Sequence, residues 1–440
     1  MEHPKATSDN PRPYLHSHCG RIPFALPPGW RLSTLADFPE STEIKDALTL
    51  SRASLHQPFG TRALKQLVKP SDRICILIED LTRTSPKHLL LDAVLDLFAQ
   101  VGIQKEHITI LIALGTHQPL DDRQLRDTFG SATVDRYAFV NHDCNGDDLV
   151  TIGQLSSGTP VKINKLAACA DFRLGIGSIF PHPLNGFGGG GKILFPGIAD
   201  ACSIFEHHLR HAFRDQSALG ILHGNAFRDE IERLAKAGRL DFIINSVLDN
   251  RDRLYHVVAG DPGAAHLAGT ELCRQITSRS FTERSEVTII SAFPYDQGPQ
   301  IMKPLAPAGV ITKPGGTIIL YADCRTPLPE EYLVACESFR NSYASGLRQA
   351  VFEHFATNTP IMANAPPELN MSMAQTMLAQ DDFRIILVAE GMTPRQISRL
   401  GFTPAEDLEE AIALVAREHH DPSVNVVPAG GVILPIIEQR

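Results

Sequence analysis

The chain has 440 residues, of which 43% are hydrophobic and 21% are charged, and its formal net charge at pH 7 is −9. This composition predicts an ordinary globular protein of two or three domains, and the negative charge argues against non-specific binding to nucleic acid. No apolar run approaches the ~20 residues that a membrane span requires, so we expect no membrane partner.

Eight cysteines are scattered along the chain, and none forms a CxxC pair. This spacing is typical of buried thiols in a reducing compartment rather than of a disulfide framework or a structural zinc site. The N-terminal residues are polar and lack the apolar core of a signal peptide. We therefore expect a cytoplasmic protein.

The first predicted elements follow a polar lead-in. Residues 1–22 are expected to be flexible or loosely docked, and residues 40–70 to be mostly helical. A continuous apolar run over 73–78 predicts a strand of a parallel sheet that is covered on both faces. A helix over 86–101 and a strand over 108–113 come next, which is the order of a βαβ unit.

Polar residues follow three of the predicted strands. Residues 80–86 come after the first strand, residues 115–119 come after the second, and His182 comes after an apolar run over 174–180. Because ligands of α/β sheets bind at the carboxyl ends of the strands, the three clusters predict one site.

The rest of the chain continues to alternate helix and strand. Helices are predicted over 199–213, 225–237 and 262–279, and paired strands over 242–247 and 255–259. Near residue 280 the pattern starts again, with strands over 287–291, 317–321 and 384–389.

The predicted fold class is therefore α/β, with two α/β domains of mainly parallel sheets and an active-site cleft between them. Residues 1–279 would form an N-terminal domain with most of the site residues. Residues 280–423 would form a smaller C-terminal domain, and the segment from about 424 to 440 is expected to return to the first domain.

The segment 186–192 contains five glycines and ends in Lys192. It fits the phosphate-loop pattern GxxxxGK, but the next residue is Ile193 where such a loop needs Ser or Thr to hold magnesium. It also fits the dinucleotide pattern GxGxxG, but prolines interrupt the strand and the helix that must flank that motif. A glycine-rich turn without chemistry would leave His182 and the single lysine unexplained.

Two polar clusters at strand ends each have a catalytic and a structural interpretation. Arg83 offers a planar fork for a carboxylate, but Ser85 can instead cap a helix while Asp80 and Arg83 form a local ion pair. His117 stands alone after its strand, and a single histidine is more often a hydrogen-bonded structural residue than a catalyst.

Two clusters on predicted helices also have both a functional and a structural interpretation. His207, His208 and His211 lie on one predicted helix, so they could form a metal-binding pair or a solvated cluster. Gln300 and Lys303 are one helical turn apart, which is also the spacing of an exposed polar face.

Several of these segments resemble the motifs of the lactate racemase family. The matching stretches are Asp80-x-Thr82-Arg83-x-x-Pro86, Gly115-x-His117-x-Pro119, Pro181-His182, Gly186-Phe187-x-Gly189-Gly190-x-Lys192 and Pro196-Gly197-Ile198-Ala199. The resemblance implies an isomerase, namely a racemase or epimerase of a 2-hydroxy acid. It also implies the nickel-pincer nucleotide, a pyridinium-3,5-bisthiocarboxylic acid mononucleotide, as a cofactor covalently linked to Lys192.

The resemblance also implies roles for individual residues. His117 and His182 would be the acid/base pair, Arg83 would hold the substrate, and Asp80 would lie by the cofactor. The implied reaction is reversible hydride transfer from the α-carbon to the pyridinium, while a histidine takes the hydroxyl proton.

The cofactor would have further contacts. His208 would be the nickel ligand. The other cofactor-binding residues implied by the resemblance are Gly189, Gly190, Gln300 and Lys303.

The chain departs from the family pattern in places. Gly191 replaces the usual arginine before the lysine, and the residues around 297–303 differ from those of the lactate enzyme. Lactate, malate, longer 2-hydroxy acids and sugar acids therefore stay open as substrates. The implied partners are the small-molecule substrate and the enzymes of cofactor biosynthesis. Two other functions are also open: nucleotide or phosphate binding through residues 186–192, and a non-catalytic member of the family that has lost the cofactor.

Overall fold

The computed structural model of the chain describes residues 12–38, 46–82, 84–214, 216–249 and 253–438. The chain divides into two compact units. Unit 1 comprises Met1–Asp37, Arg279–Arg348 and Gln375–Arg440, and unit 2 comprises Phe38–Ser278 and Gln349–Ala374. Each unit contains a mainly parallel sheet with helices, so the predicted α/β class with two domains is confirmed, while the cleft predicted with it stays a prediction.

The main sheet of unit 2 has six strands among the described residues. Their order is Leu254–Gly260, Phe242–Leu248, Phe172–Ile179, Ile74–Glu79, Ile108–Ala113 and Ala138–Asn141. All neighbours are parallel except the first pair, which forms an antiparallel edge. The central strand Ile74–Glu79 is buried on both faces from Ile74 to Ile78, as its unbroken apolar sequence predicted.

Helices Ala47–His56 and Lys87–Val101 share a hydrophobic core with one face of this sheet, and helix Pro262–Thr277 also packs against its strands. The helices of unit 2 are Ala47–His56, Lys87–Val101, Asp122–Phe129, Ser131–Arg136, Lys165–Ala168, Ala201–His211, Ala226–Ala237 and Pro262–Thr277. Two helices extend from one unit into the other: Leu347–Ala356 and Pro367–Asp382. Helix Lys87–Val101 ends at Gly102, whose left-handed φ of 90° allows its amide to bond back to Phe98 and Ala99.

Short hairpins complete unit 2. Strands Leu149–Gln154 and Pro160–Asn164 pair with each other, and so do Pro181–His182 and Gly186–Phe187. The second hairpin begins two residues after the end of strand Phe172–Ile179, so the chain carries His182 directly off the edge of the main sheet.

Unit 1 contains a sheet whose strands are all parallel. Their order is Thr403–Ala405, Arg384–Ala389, Thr312–Ala322, Ser285–Ser291, Ser423–Val427 and Arg31–Leu35. Strand Ser278–Phe281 pairs separately with Leu434–Ile437. The helices of this unit are Leu305–Ile311, Glu330–Ser342, Pro394–Arg399 and Leu408–Ala416.

The structure differs from the sequence-based prediction at both ends of the chain. Described residues of the lead-in form a hairpin, Tyr14–Ser17 with Gly20–Pro23, and Leu15 is fully buried in the core of unit 1. The amide of His16 donates to the carbonyl of Pro428 at 2.9 Å, so this segment is docked rather than loose.

The domain boundaries also differ from the predicted ones. Strand Ser423–Val427 lies between Ser285–Ser291 and Arg31–Leu35, so the C-terminal segment completes the sheet of unit 1 and does not return to unit 2. Residues 349–374 instead belong to unit 2. The physical reason is strand pairing: the interior position in the unit 1 sheet satisfies the backbone groups of 423–427 on both sides.

No helix in the described part of the chain combines the length and the apolar character that crossing a bilayer would require.

Candidate active site

Three neighbouring strands of unit 2 carry the predicted site residues at one edge. Strand Ile74–Glu79 lies between Phe172–Ile179 and Ile108–Ala113, and both pairings are parallel. Asp80, His117 and His182 therefore all follow the carboxyl ends of adjacent strands, as the sequence predicted. The amide of Gly115 donates to the carbonyl of Gly197 at 2.8 Å, which ties the loop of His117 to the segment that follows Lys192.

The side chain of His117 is oriented by Asp80. His117 Nδ1 forms a short hydrogen bond with Asp80 Oδ2, and the Asp80 side chain is 8% exposed. The other carboxylate oxygen, Oδ1, accepts from the amide of Thr82 at 2.9 Å and from its hydroxyl at 2.5 Å. Because a carboxylate can only accept, Nδ1 carries the proton, and Nε2 is the nitrogen that remains for chemistry.

The turn after strand Ile74–Glu79 lacks the helix cap by Ser85 that the sequence allowed. Ser85 does not cap the following helix; its hydroxyl donates to Glu79, whose other oxygen accepts from Ser178 at 2.9 Å. The residue before the helix, Pro86, provides no side-chain cap. Arg83 lies outside the described residues, so its predicted contact with substrate stays a prediction.

His182 and Lys192 lie side by side. His182 Nε2 is 3.2 Å from Lys192 Nζ. The other ring nitrogen, Nδ1, accepts from the amides of Leu184 at 3.2 Å and Asn185 at 3.1 Å. These two backbone donors hold the ring and place the proton of the neutral imidazole on Nε2, so this nitrogen could donate a proton to a ligand, the opposite arrangement to His117.

Buried polar side chains donate hydrogen bonds to backbone carbonyls of the glycine segment. Arg228 donates to the carbonyl of Gly189 at 3.2 Å, and His266 donates through Nε2 to the carbonyl of Gly188 at 2.9 Å. Arg228 Nη2 also lies 3.0 Å from His266 Nδ1, and it forms a short ion pair with Glu232. Sequence reasoning missed Arg228 and His266, because no local pattern distinguishes them from other helical residues.

Gly189 and Gly190 are required by this packing. A Cβ on Gly189 would come within 2.9 Å of Asn245 Oδ1, and one on Gly190 would come within 2.5 Å of Arg228 Nη2. Both residues also have positive φ, 77° and 62°, which disfavours any side chain. Asn245 Oδ1 accepts from the amide of Gly190 at 3.0 Å. Their predicted contact with a cofactor would therefore have to come from the backbone.

The same hydrogen bonds argue against a phosphate cradle. The amides of Gly188, Gly190 and Lys192 already donate to Phe180 O, Asn245 Oδ1 and Gly189 O. After the glycines the chain forms a 3₁₀ turn, Gly190–Ile193, rather than the long helix of a nucleotide-binding motif. A phosphate group would find these donors occupied.

His208 is prepared to bind a metal through one nitrogen. Its Nδ1 donates to the carbonyl of Ile204 at 2.8 Å, which leaves a lone pair on Nε2. Burial, together with the positive charge of Lys192 and smaller effects from His211 and His117, lowers the pKa of His208 to about 3. A neutral imidazole is the form that ligates a transition metal, so this residue fits its predicted role as nickel ligand.

The other two histidines of that helix have their own partners. His207 Nε2 donates to the carbonyl of Phe227 at 3.0 Å, and His211 Nε2 lies 2.9 Å from Glu230 Oε2. The sequence proposed a pair within the three histidines, whereas the structure groups His207 and His211 with Glu230, their candidate ligand atoms within 4.8 Å of one another. Glu230 was missed because it comes from a different helix.

Gln300 and Lys303 belong to unit 1. They lie at a 3₁₀ helix, Gly298–Met302, and the residue just after it. Lys303 Nζ stands 4.3 Å from the centre of the Tyr295 ring. Gln300 Oε1 is buried and, within the described part of the chain, accepts no hydrogen bond. Their predicted contact with the cofactor stays a prediction.

The buried His266 should make stability depend on pH. Burial and the neighbouring Arg228 guanidinium lower its pKa well below the ordinary value. Below pH ~6.5 the unfolded chain takes up a proton that the folded chain does not, so the free energy of unfolding falls as pH falls, by about 1.4 kcal/mol per pH unit for this group. We expect His266→Gln to flatten the slope by about 1 kcal/mol in urea unfolding between pH 6.5 and 5.5, because the unfolded histidine goes from half to mostly protonated over this interval. The exposed His56, as His56→Gln, is the control, and an unchanged slope in His266→Gln would contradict the assignment.

Comparison with known proteins covers both units. Residues 19–220 match the lactate racemase N-terminal domain, and residues 282–434 match the lactate racemase C-terminal domain. The chain is 31% identical to the lactate racemase of Lactiplantibacillus plantarum over 387 residues, 87% of this chain and 89% of that protein. It is 28% identical to the lactate racemase of Thermoanaerobacterium thermosaccharolyticum over 387 residues, 86% of this chain and 88% of that protein.

Solved structures agree with the sequence matches. The lactate racemase apoprotein from T. thermosaccharolyticum superimposes with a TM-score of 0.86 at 26% identity, and the match covers 97% of this chain and all of that one. A protein from Thermotoga maritima shares the fold, with a TM-score of 0.64 at 16% identity over 92% of this chain and all of that one. The chain therefore belongs to the lactate racemase family and is an isomerase of the racemase class.

Proposed function

We propose that this racemase inverts the carbon that bears the hydroxyl group of a 2-hydroxy acid, using the nickel-pincer nucleotide linked to Lys192. The observation that carries the proposal is the 3.2 Å separation of Lys192 Nζ and His182 Nε2. Lys192, the proposed cofactor anchor, lies beside His182, one of the two proposed acid/base residues. The other, His117, belongs to the same unit.

The residues fit such a cofactor. Lys192 offers an amine for the covalent link, and His208 offers a neutral imidazole whose Nε2 is not used by the protein backbone. When bound, the cofactor supplies a hydride acceptor, a function that side chains cannot provide. Gln300 is proposed to contribute a polar contact and Lys303 a positively charged one to the same cofactor.

The side chains of the protein handle the protons. His117 Nε2 accepts the hydroxyl proton of one enantiomer, and the carboxylate of Asp80 stabilises the imidazolium that results. His182, whose ring is held by the amides of Leu184 and Asn185, carries the proton of its neutral imidazole on Nε2 and is proposed to donate that proton as the other enantiomer forms. Arg83 is proposed to bind the substrate carboxylate through its planar guanidinium.

One preparation tests the whole proposal. The chain is produced together with the cofactor-biosynthesis enzymes, which are its proposed partners, and then measured by intact mass, nickel content and chiral chromatography of several 2-hydroxy acids, lactate among them. A mass increase at Lys192, bound nickel and interconversion of enantiomers are expected. An unmodified protein that still racemises would refute the link, and a modified protein that racemises no 2-hydroxy acid would refute the reaction. A cytoplasmic location is part of the proposal, supported by eight unpaired thiols, several of them buried.

Removing the proposed nickel ligand should separate metal binding from the covalent link. We expect His208→Gln to lower bound nickel by more than about tenfold, since a ligand with a fixed lone pair is lost, while the mass increase at Lys192 persists. Nickel is measured by elemental analysis of the desalted protein. The control is His223→Gln, because His223 is exposed. Full nickel content in His208→Gln would assign the metal to other residues.

A further inference from the structure

Glu368 is an acidic residue beside the predicted acid/base histidine. It lies in the first turn of helix Pro367–Asp382, in the stretch of chain that belongs to unit 2. Its Oε2 accepts from the hydroxyl of Thr116 at 2.8 Å, and its Oε1 lies 3.9 Å from His117 Nε2. No sequence pattern pointed to it, because 252 residues separate it from Thr116.

Glu368 and Asp80 lie beside different ring nitrogens of His117, so their roles differ. Asp80 takes Nδ1, the nitrogen that orients the ring. Glu368 faces Nε2, the nitrogen that would meet the substrate hydroxyl. Its side chain is 36% exposed, so it is accessible to a ligand, and Thr116 occupies only one of its two oxygens. A substrate bound to His117 Nε2 therefore has a carboxylate as its neighbour.

We propose that Glu368 selects 2-hydroxy acids that carry a further hydroxyl group next to the reacting carbon, the class that runs from glycerate to the sugar acids. The inference rests on the proposed function and specifies its substrate. An ionised carboxylate has only acceptor sites, so it matches a hydroxyl donor. A methyl group, as in lactate, would desolvate the charge without replacing its hydrogen bonds. A second carboxylate, as in malate, would be repelled at this distance.

The test measures substrate preference in the cofactor-loaded enzyme. Rates of racemisation or epimerisation are determined for glycerate, gluconate, lactate and malate with the native chain, Glu368→Gln and Glu353→Gln. Glu353 is an exposed residue of the same unit whose neighbour is Gln349, so its variant is a matched control. Intact mass and thermal melting confirm that each protein is loaded and folded.

We expect the native chain to prefer glycerate to lactate by about tenfold or more in kcat/KM, the size of one hydrogen bond to a charged acceptor. Glu368→Gln should reduce that preference about tenfold and raise kcat/KM for malate by a similar factor, while Glu353→Gln changes neither. An unchanged preference in Glu368→Gln would overturn the inference. So would an equal loss for all four acids, which would make Glu368 a positioning residue for His117 only. In both cases racemisation itself would persist, so the proposed function would stand; no turnover of any acid by the native chain would refute both.

Discussion

Replacing Lys192 with arginine is expected to abolish both the covalent mass increase and the racemisation of 2-hydroxy acids. The substitution preserves the charge and nearly the length of the side chain, but a guanidinium cannot form the amine-derived link. Because the hydride acceptor would then be missing, activity should fall to the level of a protein-free control. Intact mass and chiral chromatography of the same preparation measure the two effects together.

The matched control for this substitution is Lys236→Arg. Lys236 is an exposed lysine on helix Ala226–Ala237 of the same unit, and we expect its variant to keep the adduct and full activity. If Lys192→Arg still acquired the mass increase, the link would lie on another residue. If it lost the mass increase and kept activity, the covalent link would not be needed for the reaction.

His117→Gln and His182→Gln are each expected to lower kcat by about 10²–10⁴-fold, the usual contribution of a general acid or base. Glutamine keeps a polar group of similar size but cannot take up a proton. Because neither ring forms the covalent link, the mass increase at Lys192 should remain, which distinguishes lost chemistry from lost cofactor. Rates are measured from each enantiomer separately, by chiral chromatography at saturating substrate.

His56→Gln serves as the control for both variants, since His56 is exposed at the end of helix Ala47–His56. An undiminished rate in His117→Gln would return that residue to the structural role of a histidine held by Asp80. An undiminished rate in His182→Gln would mean that its contact with Lys192 serves packing alone.

Much of the sheet and its active edge followed from local sequence. The unbroken apolar runs are typical of strands buried on both faces, and the strands predicted over 108–113 and 384–389 are observed at those bounds. Parallel pairing then places all carboxyl ends on one side, which brings the loop of His117 and the hairpin of His182 to the same edge. These predictions depend only on the spacing of apolar residues and on the order of the predicted strands and helices. Both can be read from the sequence without knowledge of tertiary contacts.

The support of the site could not be predicted in this way. Arg228 is 39 residues from Gly189 and His266 is 78 residues from Gly188, the glycines whose carbonyls they contact. No local sequence pattern around either residue predicts these contacts. The docking of the N-terminal hairpin was missed because its sequence is mostly polar, although Leu15, His16 and Ser17 are buried in the structure.

The return of residues 349–374 to unit 2 has a consequence for biosynthesis. Thr116 and Glu368 are 252 residues apart, so at roughly 5–20 residues per second their contact cannot form until ~10–50 s after the histidine loop has left the ribosome. The nascent chain would meanwhile expose His117 without its second carboxylate neighbour. A polypeptide truncated before residue 368 would thus contain the glycine segment and His117 but lack the carboxylate of Glu368.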